Sequence, residues 1–139
     1  ILKGMRAIRE KTGCEILFPI HPRTRKRVSE FGLDDLLGPL RLCDPLGYLD
    51  LLSLASACRF AVTDSGGFQK ETYFAGKRAV VVMPDTGWRE LVEAGWNVLC
   101  APEEAYMLRA AEQVLEDVVL PGELYGNGHA AEIIIGILR

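Results

Sequence analysis

The sequence lacks the spacings that build metal sites. Its four cysteines, Cys14, Cys43, Cys58 and Cys100, form no Cys-x-x-Cys pair, and its two histidines form no His-x-x-x-His pair. Because zinc sites use such closely spaced ligands, we expect no metal site. The cysteines lie mostly in or beside apolar segments, which favours buried, reduced thiols over disulfides.

The sequence also lacks an excess of positive charge and any long apolar run. Lys and Arg number 16 against 19 Asp and Glu, which gives a formal net charge of −3. This balance argues against a nucleic-acid partner held by counterion release. No apolar stretch approaches the ~20 residues of a membrane-spanning helix, and no signal peptide is recognisable. We therefore expect a cytoplasmic protein without a membrane partner.

Apolar runs and helical periods alternate along the chain. Short runs rich in Ile, Leu and Val suit strands that are covered on both faces, and strands alternating with helices predict parallel pairing. The 139 residues therefore predict a single α/β domain with a doubly wound parallel sheet, which is Rossmann-like in kind. The predicted strands are Glu15–Ile20, Leu40–Cys43, Phe60–Thr63, Ala79–Met83 and Asn97–Cys100. The predicted helices are Leu2–Lys11, Thr24–Phe31, Leu46–Ala57, Phe68–Ala75, Arg89–Ala94, Glu103–Val119 and Ala130–Leu138.

The run from Val62 to Glu71 is the most informative feature of the chain. An apolar strand passes directly into Asp-Ser-Gly-Gly, and a helical stretch follows. Two glycines let the backbone turn sharply and let a ligand approach closely. The start of the helix points unpaired N–H groups and its positive dipole end at this turn, which is an anion site suited to a diphosphate. The alternative is a plain tight turn in which Ser65 or Asp64 caps the helix.

Two further loops carry polar groups at the same predicted edge of the sheet. After the first strand, His21 and Arg23 are placed to meet a phosphate, and Thr24 is expected to cap the next helix. After the fourth strand, Met83–Glu90 is rich in turn residues. Because ligands of open α/β sheets bind beyond the carboxyl ends of the strands, the three loops together predict a nucleotide pocket.

The same motifs resemble the C-terminal half of UDP-N-acetylglucosamine 2-epimerases. The resemblance rests on His21–Thr24, Pro45–Tyr48 and Asp64–Glu71, and continues through Trp88–Asn97 and Tyr125–Ala130. That family has two Rossmann-like domains, a GT-B-like arrangement with the active site in the cleft between them. The chain begins without Met in a helical pattern, so we expect the second domain of a longer polypeptide. The implied partners are a UDP-sugar substrate and the N-terminal domain; a homodimer is left open, and no cofactor is implied.

The resemblance also implies roles for individual residues. Ser65 and Gly66 would hold the diphosphate of UDP, Glu71 the ribose hydroxyls, and Leu46 would flank the uracil. His21 would favour departure of the diphosphate, while the carboxylates that exchange the proton at carbon 2 would come from the N-terminal domain. The chain alone is therefore expected to be inactive. The candidate site consists of His21 as catalytic residue and of Arg23, Leu46, Ser65, Gly66, Gly67 and Glu71 as UDP ligands.

Two departures from the family pattern keep other functions open. Met83 stands where the family commonly has an arginine, and Gly87 stands where it has a glutamate. Lys70 replaces a common acidic residue and is expected on an exposed helix face, without consequence. The alternatives are the donor-binding domain of a GT-B glycosyltransferase and a non-catalytic nucleotide-binding module. Whether the parent enzyme would add back UDP or add water is not decided by these residues.

Overall fold

A computed structural model describes residues 1–116 and 123–138 of the chain. In these residues, short strands alternate with helices, and a single-turn 3-10 helix at Asp34–Leu36 precedes the second strand. The strands are β1 (Leu17–Pro19), β2 (Arg41–Cys43), β3 (Ala61–Thr63), β4 (Ala79–Val81) and β5 (Asn97–Leu99). The helices are α1 (Leu2–Thr12), α2 (Pro22–Glu30), α3 (Tyr48–Ala57), α4 (Gly66–Phe74), α5 (Arg89–Glu93), α6 (Glu104–Glu116) and α7 (Ala130–Leu138).

All strand pairs are parallel, as the alternation of strands and helices predicted. The hydrogen bonds divide the strands into a pair, β1–β2, and a group of three in the order β3–β4–β5. In the group of three, Val80 of β4 lies between Val62 and Val98 of its neighbours. Every residue of β4 is buried, which is the environment predicted for a continuous apolar strand. The α/β class is confirmed.

One apolar core joins the two strand groups. Helices α1 and α6 pack against each other, and α6 also covers β4 and β5. Ile8 of α1 and Met107 of α6 have no exposed surface, and Val80 of β4 completes the centre of the same cluster. Gly4 lies directly against the Met107 side chain, so any Cβ at this position would overlap it. The close approach of α1 and α6 therefore depends on a glycine.

Several boundaries differ by two residues from the predicted ones, among them the start of β1 and the end of β4. Helix α3 starts two residues later than predicted, whereas α2 and α4 start two residues earlier, at Pro22 and Gly66. The shifts of α2 and α4 follow from their caps, because His21 and Ser65 each accept a hydrogen bond from the first turn. Helix α6 ends at Glu116 in the described residues, and the remainder of the predicted helix, Asp117–Val119, lies outside them.

The last helix, α7, displays its apolar side chains to solvent. Every residue of α7 is exposed, including Ile133, Ile134, Ile135, Ile137 and Leu138. With only nine residues, α7 is too short to cross a bilayer, and no other helix in residues 1–116 and 123–138 meets both the length and the hydropathy that crossing requires.

The four cysteines are free thiols, as predicted, but each is only half-buried. The prediction of fully buried thiols was therefore wrong. Burial nevertheless raises the pKa of the Cys58 and Cys100 thiols above the ordinary value for cysteine. Both thiols therefore carry less of the reactive thiolate at neutral pH than an exposed cysteine would.

Candidate functional site

The turn between β3 and α4 exposes the start of a helix, where the sequence predicted an anion site. Ser65 is the N-cap of α4, and its Oγ accepts a hydrogen bond from the Phe68 N–H at 3.4 Å. The N–H of Ser65 in turn donates to Thr63 Oγ1 at 3.0 Å. Residues 64–67 are all exposed, and the N–H groups of Gly66 and Gly67 lie in the first turn, which has no intrahelical acceptors for them. Ser65 is therefore the cap, one of the two residues that the plain-turn alternative named.

The two glycines of this turn are not required by the backbone. Neither Gly66 nor Gly67 has a positive φ, so the turn does not use the backbone conformations that are open to glycine alone. A Cβ at Gly67 would meet no atom within 4 Å, and one at Gly66 would reach only Trp88 Nε1, at 3.9 Å. Glycine in a helix costs up to ~1 kcal/mol relative to alanine. The glycines therefore leave open space where a ligand can approach the backbone.

The loop after β4 is hydrogen-bonded to the start of α4. The indole N–H of Trp88 donates to the Gly66 carbonyl at 2.7 Å. Behind this contact, the Thr86 hydroxyl donates to Gln69 Oε1 at 2.7 Å and accepts from the Trp88 backbone N–H at 3.2 Å. Asn97 Nδ2, at the start of β5, donates to the same Gln69 oxygen at 3.3 Å. Two of the three predicted polar loops are thus brought together.

Lys70 holds a second contact between α4 and the loops around it. Its Nζ lies 4.3 Å from the Trp88 ring centroid and 4.0 Å from the Tyr125 ring centroid, so the ammonium is between two aromatic faces. Lys70 is half-buried, so the expectation of an exposed position was wrong. Lys70 contacts two rings because the chain returns to α4 at Tyr125.

Tyr125 also forms a hydrogen bond that ties this returning segment to α5. Its hydroxyl donates to Glu90 Oε1 at 2.7 Å. Burial raises the pKa of Tyr125 above its usual range, and the Glu90 carboxylate raises it further. The same hydrogen bond, together with a backbone N–H, lowers the pKa of Glu90. The pair is therefore a neutral phenol donating to an ionised carboxylate at neutral pH.

The loop after β1 has a simpler structure. His21 is the N-cap of α2, and its Nδ1 accepts from the Arg23 N–H at 3.2 Å. The prediction that Thr24 caps this helix was wrong, because Pro22 occupies the first helical position and moves the cap to His21. Since Nδ1 is the acceptor, a neutral imidazole carries its proton on Nε2 and can donate from there. His21 and Arg23 are both exposed.

The remaining candidate residues lie around these loops. Leu46 is half-buried in the turn that leads into α3, and α3 packs against α4. Glu71 is half-buried in the second turn of α4. Within residues 1–116 and 123–138, no hydrogen bond or ion pair joins the His21 loop to the Ser65 turn. Proximity of His21 to the anion site is therefore still a prediction.

The two departures from the family pattern have definite surroundings. Met83 Sδ lies 3.7 Å from Gln69 Nε2, so Met83 contacts the buried amide behind the turn. Arg89, a candidate to replace the missing positive charge, pairs with Asp85 at 3.1 Å. A hydrogen bond from the Thr86 N–H, followed by the contact with Arg89, lowers the pKa of Asp85. Gly87 stands in open space.

No group of three or more His, Cys, Asp or Glu side chains that could hold a metal ion occurs among residues 1–116 and 123–138. The candidate residues offer backbone amides, a hydroxyl, an imidazole and a carboxylate. Such a set of donors and acceptors suits a ligand with phosphate and hydroxyl groups.

Comparison with known proteins supplies the context of this geometry. The sequence profile described as UDP-N-acetylglucosamine 2-epimerase matches residues 1–139. The UDP-N-acetylglucosamine 2-epimerase of Methanocaldococcus jannaschii is 34% identical, with 99% of this chain aligned to 38% of that protein. The UDP-2,3-diacetamido-2,3-dideoxy-D-glucuronate 2-epimerase of Pseudomonas aeruginosa is 37% identical, with 86% of this chain aligned to 33% of that protein.

Solved structures agree in fold. The M. jannaschii enzyme in complex with UDP-GlcNAc and UDP superposes with a TM-score of 0.85 at 34% identity, and the match covers 99% of this chain and 39% of that one. The chain therefore spans between a third and two fifths of the length of the relatives described. The comparison extends over every candidate residue of the site.

Proposed function

Since the chain belongs to the UDP-N-acetylglucosamine 2-epimerase family, we propose that it is the C-terminal, UDP-binding domain of such an enzyme. The observation that carries the proposal is the exposed Ser65–Gly67 turn, whose glycines the fold itself does not require. The full-length protein then acts as an isomerase on a UDP-sugar, with the N-terminal domain of the same polypeptide closing the cleft.

The first turn of α4 holds the diphosphate. Ser65 contributes its hydroxyl, and Gly66 and Gly67 contribute backbone N–H groups at the positive end of the helix dipole. Glu71, in the second turn of the same helix, accepts hydrogen bonds from the ribose hydroxyls. One helix thus recognises both the phosphate and the sugar of the nucleotide.

Two other loops complete the nucleotide site. Leu46 flanks the uracil from the turn before α3, which is consistent with the packing of α3 against α4. Arg23, exposed in the first turn of α2, supplies the positive charge that Met83 does not. Arg89 is less suited to that role because it already pairs with Asp85.

His21 assists departure of UDP. Its Nδ1 accepts from the Arg23 N–H, which leaves Nε2 as the atom that donates to a diphosphate oxygen. A donor at this position stabilises the negative charge that develops on the leaving group. Both a neutral imidazole and an imidazolium donate from Nε2, although the latter would give up the α2 cap.

The chemistry at carbon 2 belongs to the rest of the enzyme. A base removes the carbon 2 proton, the electron pair forms the C1–C2 double bond, and the bond from carbon 1 to the UDP oxygen breaks. Return of a proton to the opposite face of carbon 2, with re-addition of UDP or addition of water at carbon 1, completes the inversion. The acid and base are carboxylates of the N-terminal domain.

A second candidate function is a non-catalytic UDP-binding module. The observation in its favour is Met83, whose sulfur faces the buried Gln69 amide and offers no charge to a nucleotide. Incubation of the full-length protein with UDP-N-acetylglucosamine distinguishes the candidates. Formation of the 2-epimer or of free N-acetylmannosamine supports the epimerase, transfer of the sugar to an acceptor indicates a glycosyltransferase, and binding without turnover indicates the module.

Variants at His21 test its role in the full-length protein. We expect His21→Ala to lower turnover well beyond its effect on stability. His21→Asn should recover part of UDP binding, because an amide can donate, but little of the rate. If both variants stay within about twofold of the parent rate, a barrier difference of ~0.4 kcal/mol, His21 is a helix cap and no more.

The isolated chain provides the complementary test. UDP should bind weakly, because half of the cleft and its preorganisation are missing, and no epimerisation should occur. Ser65→Ala should weaken UDP binding, and Glu71→Ala should weaken UDP more than uracil. Calorimetry in which both variants equal the parent chain would place the nucleotide elsewhere, and turnover by the isolated chain would contradict the division of labour between domains.

A further inference from the structure

The contacts behind the Ser65 turn form a closed circuit of hydrogen bonds. Gln69 of α4 accepts from the Thr86 hydroxyl, Thr86 accepts from the Trp88 backbone N–H, and the Trp88 indole donates to the carbonyl of Gly66. The circuit therefore leaves α4 at Gln69 and returns to it at Gly66, one turn earlier. It joins two segments that are distant in sequence at the first turn of a helix.

The donor and acceptor of each hydrogen bond in the circuit are fixed, and its central groups are buried. Gln69 has no exposed surface, and Thr86 is 7% exposed. The Thr86 hydroxyl has one proton, which it gives to Gln69 Oε1, so its oxygen is the acceptor for Trp88. Asn97 Nδ2 donates to the same Gln69 oxygen and holds the amide in place from β5. Thr86 is consequently the relay: loss of its hydroxyl removes two bonds of the circuit together.

The end of the circuit acts on the anion site through one peptide unit. The carbonyl of Gly66 and the N–H of Gly67 belong to the same planar, trans peptide, so they point in opposite directions. When the Trp88 indole fixes the direction of the Gly66 carbonyl, it also fixes the direction of the Gly67 N–H. The peptide lies in the first turn of α4, and two successive glycines give it more backbone freedom than other residues would, so the indole adds to the restraint of the helix.

We infer that Thr86 is a positioning residue for diphosphate recognition, acting through Trp88 on the peptide between Gly66 and Gly67. This inference rests on the proposed function, in which that peptide binds the diphosphate of UDP. Thr86 itself is buried behind the turn and does not touch the ligand. The Thr86 hydroxyl accepts from the Trp88 backbone N–H and so keeps the indole in position. The indole in turn holds the Gly66 carbonyl, which leaves the Gly67 N–H pointing outward.

The experiment compares three threonine variants of the isotopically labelled chain. Thr86→Val removes the hydroxyl with little change of shape, whereas Thr86→Ser retains it. Thr12→Val is the matched control, because Thr12 also donates to a carbonyl (Ile8, 2.7 Å) and accepts from a backbone N–H (Cys14, 3.2 Å), but in α1. Each variant is titrated with UDP and, separately, with uridine, by following the amide signals of Gly66 and Gly67 at a temperature where all variants are folded.

We expect Thr86→Val to weaken UDP binding by roughly three- to tenfold, which is less than the full loss of a hydrogen bond to a charged group, because the Gly67 N–H is kept but is less well directed. Uridine binding should not change, because uridine lacks the phosphates. Thr86→Ser and Thr12→Val should both stay within about twofold of the parent chain for UDP. Trp88→Phe should reproduce the loss, and Thr86→Val/Trp88→Phe should be no worse than the single variants, since both act on one peptide.

The results separate this inference from the function beneath it. If the parent chain binds UDP and Thr86→Val binds it equally well, Thr86 is not a positioning residue. An equal loss for UDP and uridine also overturns the inference, since it indicates general damage. If the parent chain does not bind UDP, the proposed function fails in this chain. Hydrogen exchange at the Trp88 indole then tests whether Thr86 is coupled to the indole. Faster exchange in Thr86→Val than in Thr12→Val supports the coupling, and unchanged exchange overturns it.

Discussion

Two turns of this chain have the same local plan and different support. In both, a strand passes into a helix through a side-chain N-cap: His21 for α2 and Ser65 for α4. The His21 cap joins residues two apart in sequence. The Ser65 turn is also held by hydrogen bonds to Thr86, Trp88 and Asn97, which span 17, 22 and 28 residues.

The difference teaches how a fold prepares a ligand site. A cap determines where a helix begins, but it leaves the direction of the exposed N–H groups to the backbone of the turn. Long-range contacts fix that direction before a ligand arrives, which lowers the entropy lost on binding. The Ser65 turn is thus held in advance by long-range hydrogen bonds, whereas the His21 cap is held by a local one.

The largest effect should come from breaking the support of the Ser65 turn. Gln69→Leu removes the acceptor of Thr86 and Asn97 and leaves both buried side chains unsatisfied. We expect the free energy of unfolding to fall by about 2–4 kcal/mol, since each unsatisfied buried group costs ~1–3 kcal/mol. Urea denaturation measures this. Arg25→Leu, on the exposed part of α2, is the control and should change stability by less than ~0.5 kcal/mol.

The second test separates recognition from stability. Gly67→Ala adds a Cβ that meets no atom of the chain, so stability should be unchanged or raised by up to ~1 kcal/mol. The methyl group would, however, occupy the space in which the diphosphate approaches, and UDP binding should weaken by about tenfold or more, or ~1.4 kcal/mol. Gly136→Ala, also helical and in open space, should leave UDP binding unchanged. Unaltered UDP binding in Gly67→Ala would exclude this turn as the phosphate site.

A smaller effect should follow from removing the cation between the rings. Lys70→Met keeps much of the side-chain length but removes the charge over Trp88 and Tyr125. We expect a loss of ~0.5–1 kcal/mol in the free energy of unfolding, which is the usual range for such contacts at accessible sites. The same change at Lys26, whose side chain is 79% exposed in α2, should have no measurable effect. Equal changes in the free energy of unfolding at Lys70 and Lys26 would show that the aromatic contacts do not contribute to stability.

The smallest expected effect concerns the pH dependence of stability. The pKa of Glu90 is lowered in the folded chain, so its contribution is present above the ordinary value of 4.5 and is lost as the pH falls through the folded value. The pKa of Tyr125 is raised, so its contribution is present below 10 and is lost at higher pH. Tyr125→Phe should flatten both limbs of the stability profile, and Tyr106→Phe, at an exposed tyrosine, should not. Parallel profiles for the two variants would contradict this.

Features set by neighbouring residues could be predicted from the sequence. The apolar runs located all five observed strands, and the Asp-Ser-Gly-Gly run located the junction of β3 and α4, although α4 starts two residues before the predicted Phe68. Caps and strand patterns depend on adjacent residues, so such features are accessible from the sequence. Pro22 also indicates the start of α2, because proline favours the first helical position, whereas the prediction of Thr24 as the cap follows the general preference for threonine. Both signals are local, and the proline is the one that agrees with the structure.

Features set by distant residues could not be predicted in the same way. Gln69 is a polar residue in a helix, and nothing beside it indicates that its partners are Thr86 and Asn97. The position of Lys70 depends on Tyr125, 55 residues later. Tertiary packing decides these contacts, so a single sequence contains no nearby pattern for them. The roles of His21, Arg23, Leu46 and Glu71 toward UDP are still predictions.

The exposed isoleucines of α7 have a consequence for the solution behaviour of the chain. Contiguous apolar surface favours association between molecules, and this helix presents such a surface over its whole length. Hydrophobic association weakens on cooling and strengthens with salts such as sulfate. The solubility of the chain should therefore be highest in the cold and in the absence of sulfate. The nine residues of α7 would then limit the solubility of the whole chain.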